Sequence, residues 1–449
     1  MRSSSKAATT APRLCPTLRD LDLGDLVRSP MSADSKQPRP PSDDAGGAAT
    51  EDASALLLSN ARLTDGRTVD VRLVKGRIEA VGTAGSLSTA GSRVDLAGYL
   101  LLPAPAEPHA HADTALSDAQ GPVSYAPEEV QRRATEAALL QLGHGATALR
   151  AHVRIGDVHA LGPLEAVLQA RRSLRGLADL TAVAVPRLLT GAAGADGLAM
   201  LRDAVKMGAA VVGGRPDLDP DPTGYVEAVL EVAAEHGVPV DLHTDGDDPA
   251  RLARFAAMAG GLRPGVSLGP CAGLARLPED VAGRTADRLA AAGVTVVCLP
   301  QGGCAGTERR GAAPVRLLRS AGVRVAAGGG ALRDAANPVG RGDPLEAAFL
   351  LASLEGLDPA EAYGAVSARA REAMGLPEVR VEAGFPAELL AVRGAGLAGV
   401  LSLAYSRIVV HRGRVVARTS AVREYCDSAA ALDLPRQAGR PDPGGPAAR

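Results

Sequence analysis

Two histidines separated by one residue are the chemically most informative feature of the chain. His109 and His111 lie in the segment Glu107-Pro108-His109-Ala110-His111, directly after an apolar run that begins at Tyr99. Successive side chains of an extended segment point to opposite sides, so residues i and i+2 share a side. Two neutral imidazoles at this spacing can bind one cation such as Zn²⁺. The spacing predicts part of a metal site, and the alternative is that both histidines serve only packing.

Short apolar strands that alternate with amphipathic helices must position these histidines. Eight runs rich in Val, Leu and Ala are typical of strands buried on both faces, and they cover residues 99–105, 146–153, 180–186, 209–214, 238–243, 265–269, 293–299 and 323–328. The helical pattern is clearest over residues 127–142, 161–175, 197–207, 224–236 and 249–259. Eight β/α units indicate an α/β fold with a closed (β/α)₈ TIM-type barrel. An open doubly wound sheet is the alternative, but no GxGxxG follows the first strand.

Shorter strand candidates flank the barrel at both ends of the chain. They cover residues 55–63, 69–74 and 77–81 before it and 388–392, 407–410 and 414–419 after it. We expect them to form one small β-sandwich, in two parts, 53–98 and 381–420, around a barrel of residues 99–380. Residues 1–52 and 421–449 are rich in Ser, Pro, Ala, Gly and Arg and are predicted to be disordered tails, and Met31 is a second candidate start.

Composition excludes several function classes. The chain has 449 residues and a net charge of −2, which argues against a general nucleic-acid or membrane-surface binder. No apolar stretch reaches the roughly 20 residues needed to span a bilayer. Five scattered cysteines without a CxxC, and an N-terminus without an apolar signal region, favour a reducing compartment, so we expect a cytoplasmic protein. Homo-oligomer formation is left open.

Several segments together resemble the cytosine deaminase branch of the amidohydrolase superfamily. The resemblance covers about residues 55–420 and depends on four segments: 101–114, 145–153, 241–245 and 406–416. It implies a distorted (β/α)₈ barrel with a metal at its mouth and a β-sandwich made from both chain ends. It also implies hydrolysis or deamination of a cyclic C–N bond.

The resemblance implies a metal site that keeps its histidine ligands but lacks other residues of active members. The implied ligands of one divalent metal, zinc or iron, are His109, His111 and His243. Active members also use a proton-shuttling Glu, a second catalytic His and a metal-binding Asp. At these three positions the chain carries, in the same order, Gly246, Pro270 and Gly330. The metal is therefore expected to be incompletely coordinated.

These replacements lower the expected activity. General acid–base groups contribute on the order of 10²–10⁴ in rate, and neither Gly nor Pro can transfer a proton. Nearby carboxylates that could substitute are Asp245, Asp247, Asp248 and Asp334. Asp248 also fits a helix cap, because Pro249 follows it.

Candidate ligand-binding residues lie at other strand ends. The resemblance places Arg187 where active members have a substrate-binding Gln. His152 lies at the end of the second predicted strand, and Arg215 and Gln301 follow other predicted strands. Further arginines at strand ends are Arg150, Arg154 and Arg333. Guanidinium groups and the glycine-rich loops after strands seven and eight are typical of a site for a carboxylate or phosphate. The alternative is that these arginines are surface ion pairs.

Two functions remain open from the sequence. One is a divergent metal-dependent hydrolase of weak activity that acts on a cyclic C–N bond. The other is a non-catalytic homologue that binds a small anionic metabolite at the barrel mouth or serves as a partner subunit.

Overall fold

The structure is a computed structural model that describes residues 55–117, 121–302, 311–403 and 405–421. The predicted tails, 1–52 and 421–449, lie outside these residues except for residue 421. No helix among the described residues is long and apolar enough to cross a membrane.

Sixteen strands are present in the described residues, in two sheets. The flanking sheet contains β1 (Leu56–Arg62), β2 (Thr68–Val74), β3 (Arg77–Thr83), β4 (Ser92–Asp95), β5 (Tyr99–Pro103), β14 (Leu389–Arg393), β15 (Arg407–His411) and β16 (Arg414–Thr419). The barrel contains β6 (Ala106–Ala110), β7 (Ala148–Ile155), β8 (Asp179–Pro186), β9 (Val211–Gly214), β10 (Val240–Thr244), β11 (Val266–Pro270), β12 (Thr295–Cys298) and β13 (Arg324–Ala327).

The helices follow most barrel strands. They are α1 (Pro127–Gly143), α2 (Gly162–Ser173), α3 (Gly191–Met207), α4 (Pro222–His236), α5 (Pro249–Ala259), α6 (Glu279–Ala291), α7 (Val315–Ser320), α8 (Pro344–Ser353), α9 (Pro359–Val366), α10 (Ala368–Ala373) and α11 (Leu397–Leu403). Several begin at an Asp–Pro pair, for example Asp248–Pro249, where the Asp248 carboxylate accepts the backbone N–H groups of Ala250 and Arg251. Such caps satisfy N–H groups that the first helical turn leaves unpaired.

Eight parallel strands run in chain order from β6 to β13 and form a nearly closed barrel. The flanking sheet has the order β16-β15-β14-β5-β1-β2-β3, with β4 paired to β1, and so combines both ends of the described chain. The predicted TIM-type barrel with a flanking sandwich is therefore confirmed.

One predicted strand lies in the other sheet. Residues 99–105 were expected to form the first barrel strand, but Tyr99–Pro103 pairs antiparallel with Leu389–Arg393 of the flanking sheet. The first barrel strand is Ala106–Ala110. The error has a physical cause: Leu100 and Leu102 pack in the large barrel core, whereas Leu101 packs in the sandwich core. A strand between two cores is apolar on both faces, as a barrel strand is.

A side chain joins the first and last barrel strands. In the part of the chain that the structure describes, no backbone ladder pairs β6 with β13. The buried carboxylate of Glu107, on β6, instead accepts the N–H of Gly329, just after β13, at 2.6 Å. A Cβ at Gly328 would collide with this carboxylate. The glycines after β13 therefore make room for the group that closes the barrel.

Candidate metal centre

Three imidazoles meet at the carboxyl ends of strands one and five of the barrel. His109 lies on β6, His111 directly follows it, and His243 lies on β10. One nitrogen of each lies within 4.8 Å of the others, and His109 Nε2 is 3.1 Å from His243 Nδ1. Nitrogens about 2.0–2.1 Å from a tetrahedral zinc are separated by about 3.4 Å. The observed spacing is therefore close to that of a metal site.

Burial keeps these imidazoles neutral. It lowers the pKa of His109, His111 and His243 well below the ordinary value, and neighbouring positive charges act in the same direction. A neutral imidazole has a lone pair to donate, whereas a protonated one has none. The environment therefore favours the form that binds metal.

A second group adjoins the trio. The His152 ring, on β7, lies 3.9 Å from the His109 ring, centroid to centroid, and His152 Nε2 is 3.4 Å from Asp241 Oδ1. Asp241 precedes His243 by two residues on β10, so both side chains point to the same side. One atom each of His109, His152 and Asp241 also form a group that could hold a cation.

Arg150 lies in the barrel interior, not at the mouth where the sequence placed it. Its Nη1 donates to Asp241 Oδ2 at 2.9 Å and its Nη2 donates to the carbonyl of Ala373, on α10, also at 2.9 Å. The residue is 1% exposed, so it cannot reach a ligand in the mouth. Burial alone would raise the pKa of Asp241, but its interactions with His152 and with the Arg150 guanidinium outweigh burial and hold the pKa far below the ordinary value. Arg150 therefore helps to keep Asp241 ionised.

Several buried polar atoms of this cluster have no hydrogen-bond partner. They are His109 Nδ1, His243 Nε2, both ring nitrogens of His152, and Asp241 Oδ1. Buried polar atoms without partners cost free energy. Imidazole nitrogens with a nearby carboxylate suit zinc or iron. The residues present therefore fit one divalent metal.

The local backbone limits which residues can occupy the positions where active relatives are expected to carry catalytic side chains. Gly246 has φ +72° and Gly330 has φ +69°, a backbone region that residues with a side chain rarely adopt. A Cβ at Gly330 would lie 3.0 Å from Leu299 Cδ1. Pro270 is the buried last residue of β11. Restoring a carboxylate at either glycine would therefore strain the backbone.

The candidate substitute carboxylates are already engaged. Asp245 pairs with Arg276 at 2.5 Å, Asp247 pairs with Arg251 at 3.2 Å, and Asp248 caps α5. Asp334 accepts the Thr114 hydroxyl at 3.1 Å and lines a small cavity together with His111 and His243. Of these four, Asp334 is the one that lines this cavity.

Two cavities lie at the barrel mouth, and the histidines line the inner one. The inner one, about 40 Å³, is lined by residues that include His111, His152, His243 and Arg215. The outer one, about 680 Å³, also contains Arg187. Gln301 lines neither: its Nε2 donates to the carbonyl of Asp343 at 3.0 Å. The ligand-binding roles of His152, Arg187, Arg215 and Gln301 stay predictions.

Sequence reasoning gave no role to two charged residues of the site. Glu107 accepts the N–H of His109 at 3.1 Å as well as that of Gly329, and burial raises its pKa to about 7. The Asp241 carboxylate lies 3.4 Å from His152 Nε2. Both stand two residues before a metal-binding candidate in an apolar strand, and this spacing is the signal that could have identified them.

Comparison with known proteins identifies the family of the chain. The profile described as Amidohydrolase family matches residues 116–417. Pterin deaminase of Rhizobium rhizogenes is 25% identical over 391 residues, which are 78% of this chain and 88% of that protein.

Solved structures show the same architecture. N-isopropylammelide isopropylaminohydrolase of Burkholderia multivorans superimposes with a TM-score of 0.73 at 26% identity, over 82% of this chain and 100% of the other. The 5-methylcytosine deaminase of Klebsiella pneumoniae, liganded with 5-fluorocytosine, has a TM-score of 0.72 at 22% identity, over 82% and 98%. With a family match that spans more than half of its residues, the chain belongs to the amidohydrolase family.

Proposed function

We propose that this protein is a metal-dependent hydrolase that cleaves a C–N bond of a small ring compound, with low turnover. The observation that carries the proposal is the group of three neutral imidazoles, two buried and one half-buried, in which both buried imidazoles have an unpartnered ring nitrogen. The names of the relatives, a pterin deaminase and an N-isopropylammelide isopropylaminohydrolase, support this reaction class.

The chain's own residues have separable tasks in this proposal. His109, His111 and His243 would hold one divalent cation, which when bound would supply Lewis acidity to water or to a carbonyl oxygen of the substrate. Glu107 accepts the backbone N–H of His109, and the Asp241 carboxylate lies 3.4 Å from Nε2 of the neighbouring His152. The inner cavity of about 40 Å³ has room for roughly one or two water molecules beside the imidazoles.

Proton transfer limits the expected rate. Gly246 and Pro270 carry no ionisable side chain, and Asp245 and Asp247 are held by arginines. A missing general acid or base costs on the order of 10²–10⁴ in rate. We therefore expect turnover lower by about this factor than in relatives that keep these groups.

Loss of catalysis is the second candidate function, because three of the four candidate carboxylates pair with arginines or cap a helix, and the fourth, Asp334, accepts the Thr114 hydroxyl. The protein would then be a non-catalytic homologue that binds a small anionic metabolite or acts as a partner subunit. A cytoplasmic location and a homo-oligomeric state stay predictions under either function.

Metal content and turnover test the proposal together. Protein purified without chelators is measured for zinc and iron by mass spectrometry, for the natural chain, for His243→Ala and for the control His236→Ala, at the end of α4. We expect about one equivalent of metal in the natural chain and in the control, and a loss in His243→Ala. Absence of metal from all three would refute the proposal.

Hydrolysis is then followed as ammonia release from cytosine and pterin. Slow release that His109→Ala abolishes supports the hydrolase. Bound metal without release from either compound favours the non-catalytic homologue.

A further inference from the structure

We infer that the imidazole cluster contains a second position for a divalent cation, zinc or ferrous iron, held by His109, His152 and Asp241. We call it the deep position, and we call the position held by His109, His111 and His243 the mouth position. The inference deepens the proposed function, on which it rests for the presence of a metal. The deep position includes a carboxylate, whereas the ligands of the mouth position are all imidazoles.

The deep position lies inside the barrel, between strands one, two and five. Asp241 precedes His243 by two residues on β10, which places it about 7 Å back along the strand from the mouth. His109, His152 and Asp241 are 0%, 3% and 0% exposed, and one possible ligand atom of each lies within 4.8 Å of the others. Residues of three barrel strands therefore hold these ligand atoms together.

The contact between His152 and Asp241 has the spacing of two ligands of one ion. His152 Nε2 and Asp241 Oδ1 are 3.4 Å apart, and neither atom makes a hydrogen bond. Two ligand atoms about 2.0–2.1 Å from a tetrahedral zinc are separated by about this distance. His109 also has a buried ring nitrogen without a partner, Nδ1. Each of the three residues therefore carries a buried polar atom that a cation would satisfy.

The donor set of the deep position suits a divalent metal. An imidazole that binds a metal is neutral, so the mouth position offers a cation no negative charge. A buried cation without an anionic ligand is costly. Asp241 contributes one negative charge at the deep position, and two imidazoles with one carboxylate are typical ligands of zinc and of ferrous iron.

Arg150 weakens the deep position. Its Nη1 donates to Asp241 Oδ2 at 2.9 Å, so the guanidinium offsets part of the carboxylate charge and leaves Oδ1 as the oxygen for an ion. A neutral imidazole has one lone pair for a metal, so His109 serves one ion at a time. We therefore expect an ion to fill the mouth position first, and the deep position when a ligand of the mouth position is lost.

Cobalt(II) binding to His243→Ala tests the inference, because cobalt absorbs visible light whereas d¹⁰ zinc does not. This variant should lose its metal during purification but bind one equivalent of added cobalt, at least about tenfold more weakly than the natural chain. His243→Ala/His152→Ala should bind at least about 100-fold more weakly still, since even loss of an outer-shell partner costs about 10–100-fold. The matched control, His243→Ala/His236→Ala, should bind cobalt as His243→Ala does.

Two binding results would overturn the inference. One is the absence of cobalt binding by His243→Ala that circular dichroism shows to be folded. The other is equal binding by His243→Ala and His243→Ala/His152→Ala, because the ion would then be held by His109 and His111 alone. If His243→Ala does not fold, His111→Ala replaces it in every arm, since it removes a half-buried ligand of the mouth position only.

Anomalous scattering from cobalt-soaked crystals locates the ion independently of affinity. In His243→Ala the peak should lie between His152 Nε2 and Asp241 Oδ1, and a peak beside His111 instead would overturn the inference. A peak at the deep position in the natural chain as well would support the inference and overturn the ligand set of the proposed function. If cobalt binds as expected but no ammonia is released, the hydrolase proposal fails and the deep position stands.

Discussion

The buried ion pair between Asp343 and Arg407 offers a quantitative test of how the barrel is joined to the flanking sheet. Arg407, on β15, donates from Nη2 to Asp343 Oδ2 at 2.6 Å and from Nη1 to Asp343 Oδ1 at 2.8 Å. Asp343 also caps α8 by accepting the N–H of Leu345 at 2.9 Å. The two side chains are 10% and 6% exposed. Asp343→Asn removes the charge but keeps a capping oxygen.

The expected loss can be estimated from these contacts. Removing one partner of a buried ion pair costs about 3–5 kcal/mol. Arg407 keeps its bond to the carbonyl of His144 and can bond the new amide oxygen, so about 3 kcal/mol is expected. Asp343→Ala also removes the cap, which adds about 1 kcal/mol.

Asp358 is the matched control, because it caps α9 through the N–H of Ala360 without a buried arginine. Urea unfolding followed by circular dichroism should show almost no change for Asp358→Asn and a loss of about 1 kcal/mol for Asp358→Ala. If Asp343→Asn lies within about 0.5 kcal/mol of Asp358→Asn, the ion pair does not stabilise the protein and the reasoning is wrong.

The same pair predicts a dependence on pH. Burial alone would raise the pKa of Asp343, but the hydrogen bonds and charge of Arg407 outweigh it, and the pKa lies below the ordinary value. An Asp of lowered pKa stabilises the fold above its unfolded pKa of about 3.9 and loses that effect as the pH falls through its folded pKa. The stability difference between the natural chain and Asp343→Asn should therefore be full at about pH 6 and shrink below about pH 4.

Three further predictions concern metal, glycine and tyrosine. Chelation should lower the thermal midpoint, and zinc at about 100 times its Kd should restore about 2.7 kcal/mol; an unchanged midpoint contradicts metal binding. Gly145→Ala should lower the free energy of unfolding in urea by about 2 kcal/mol or more, because φ is +113° and the new Cβ would lie 2.8 Å from a leucine methyl. The control Gly143→Ala, at the end of α1, should be neutral or slightly stabilising. Tyr363→Phe should cost about 1 kcal/mol in the same assay, because the buried hydroxyl donates to the carbonyl of Pro103 at 2.7 Å, and no loss would mean that water replaces the bond.

Local signals predicted five of the eleven helices in the described residues and most of the strands. The helix over residues 249–259 has the predicted bounds because its start is encoded locally by Asp248 and Pro249. The first barrel strand was misplaced because β5 is apolar on both faces, and local sequence does not show which layer covers a face.

The candidate site was predictable where residues alternate along a strand. His109, His111 and His243 were singled out by spacing and by resemblance, and the structure brings them together. Their role as metal ligands stays a prediction. The interior position of Arg150 could not be read from the sequence, because it depends on a partner 91 residues away, Asp241.

The Glu107 carboxylate has a consequence for how the barrel opens. Within the described residues no ladder of backbone bonds links strands one and eight, so we expect local opening to be easier there than between other neighbouring barrel strands. The other oxygen of the same carboxylate holds the backbone of His109, so such an opening also displaces an imidazole of the metal cluster. Amide hydrogen exchange at Gly329 therefore reports how tightly the metal centre is assembled, and a bound cation should slow it.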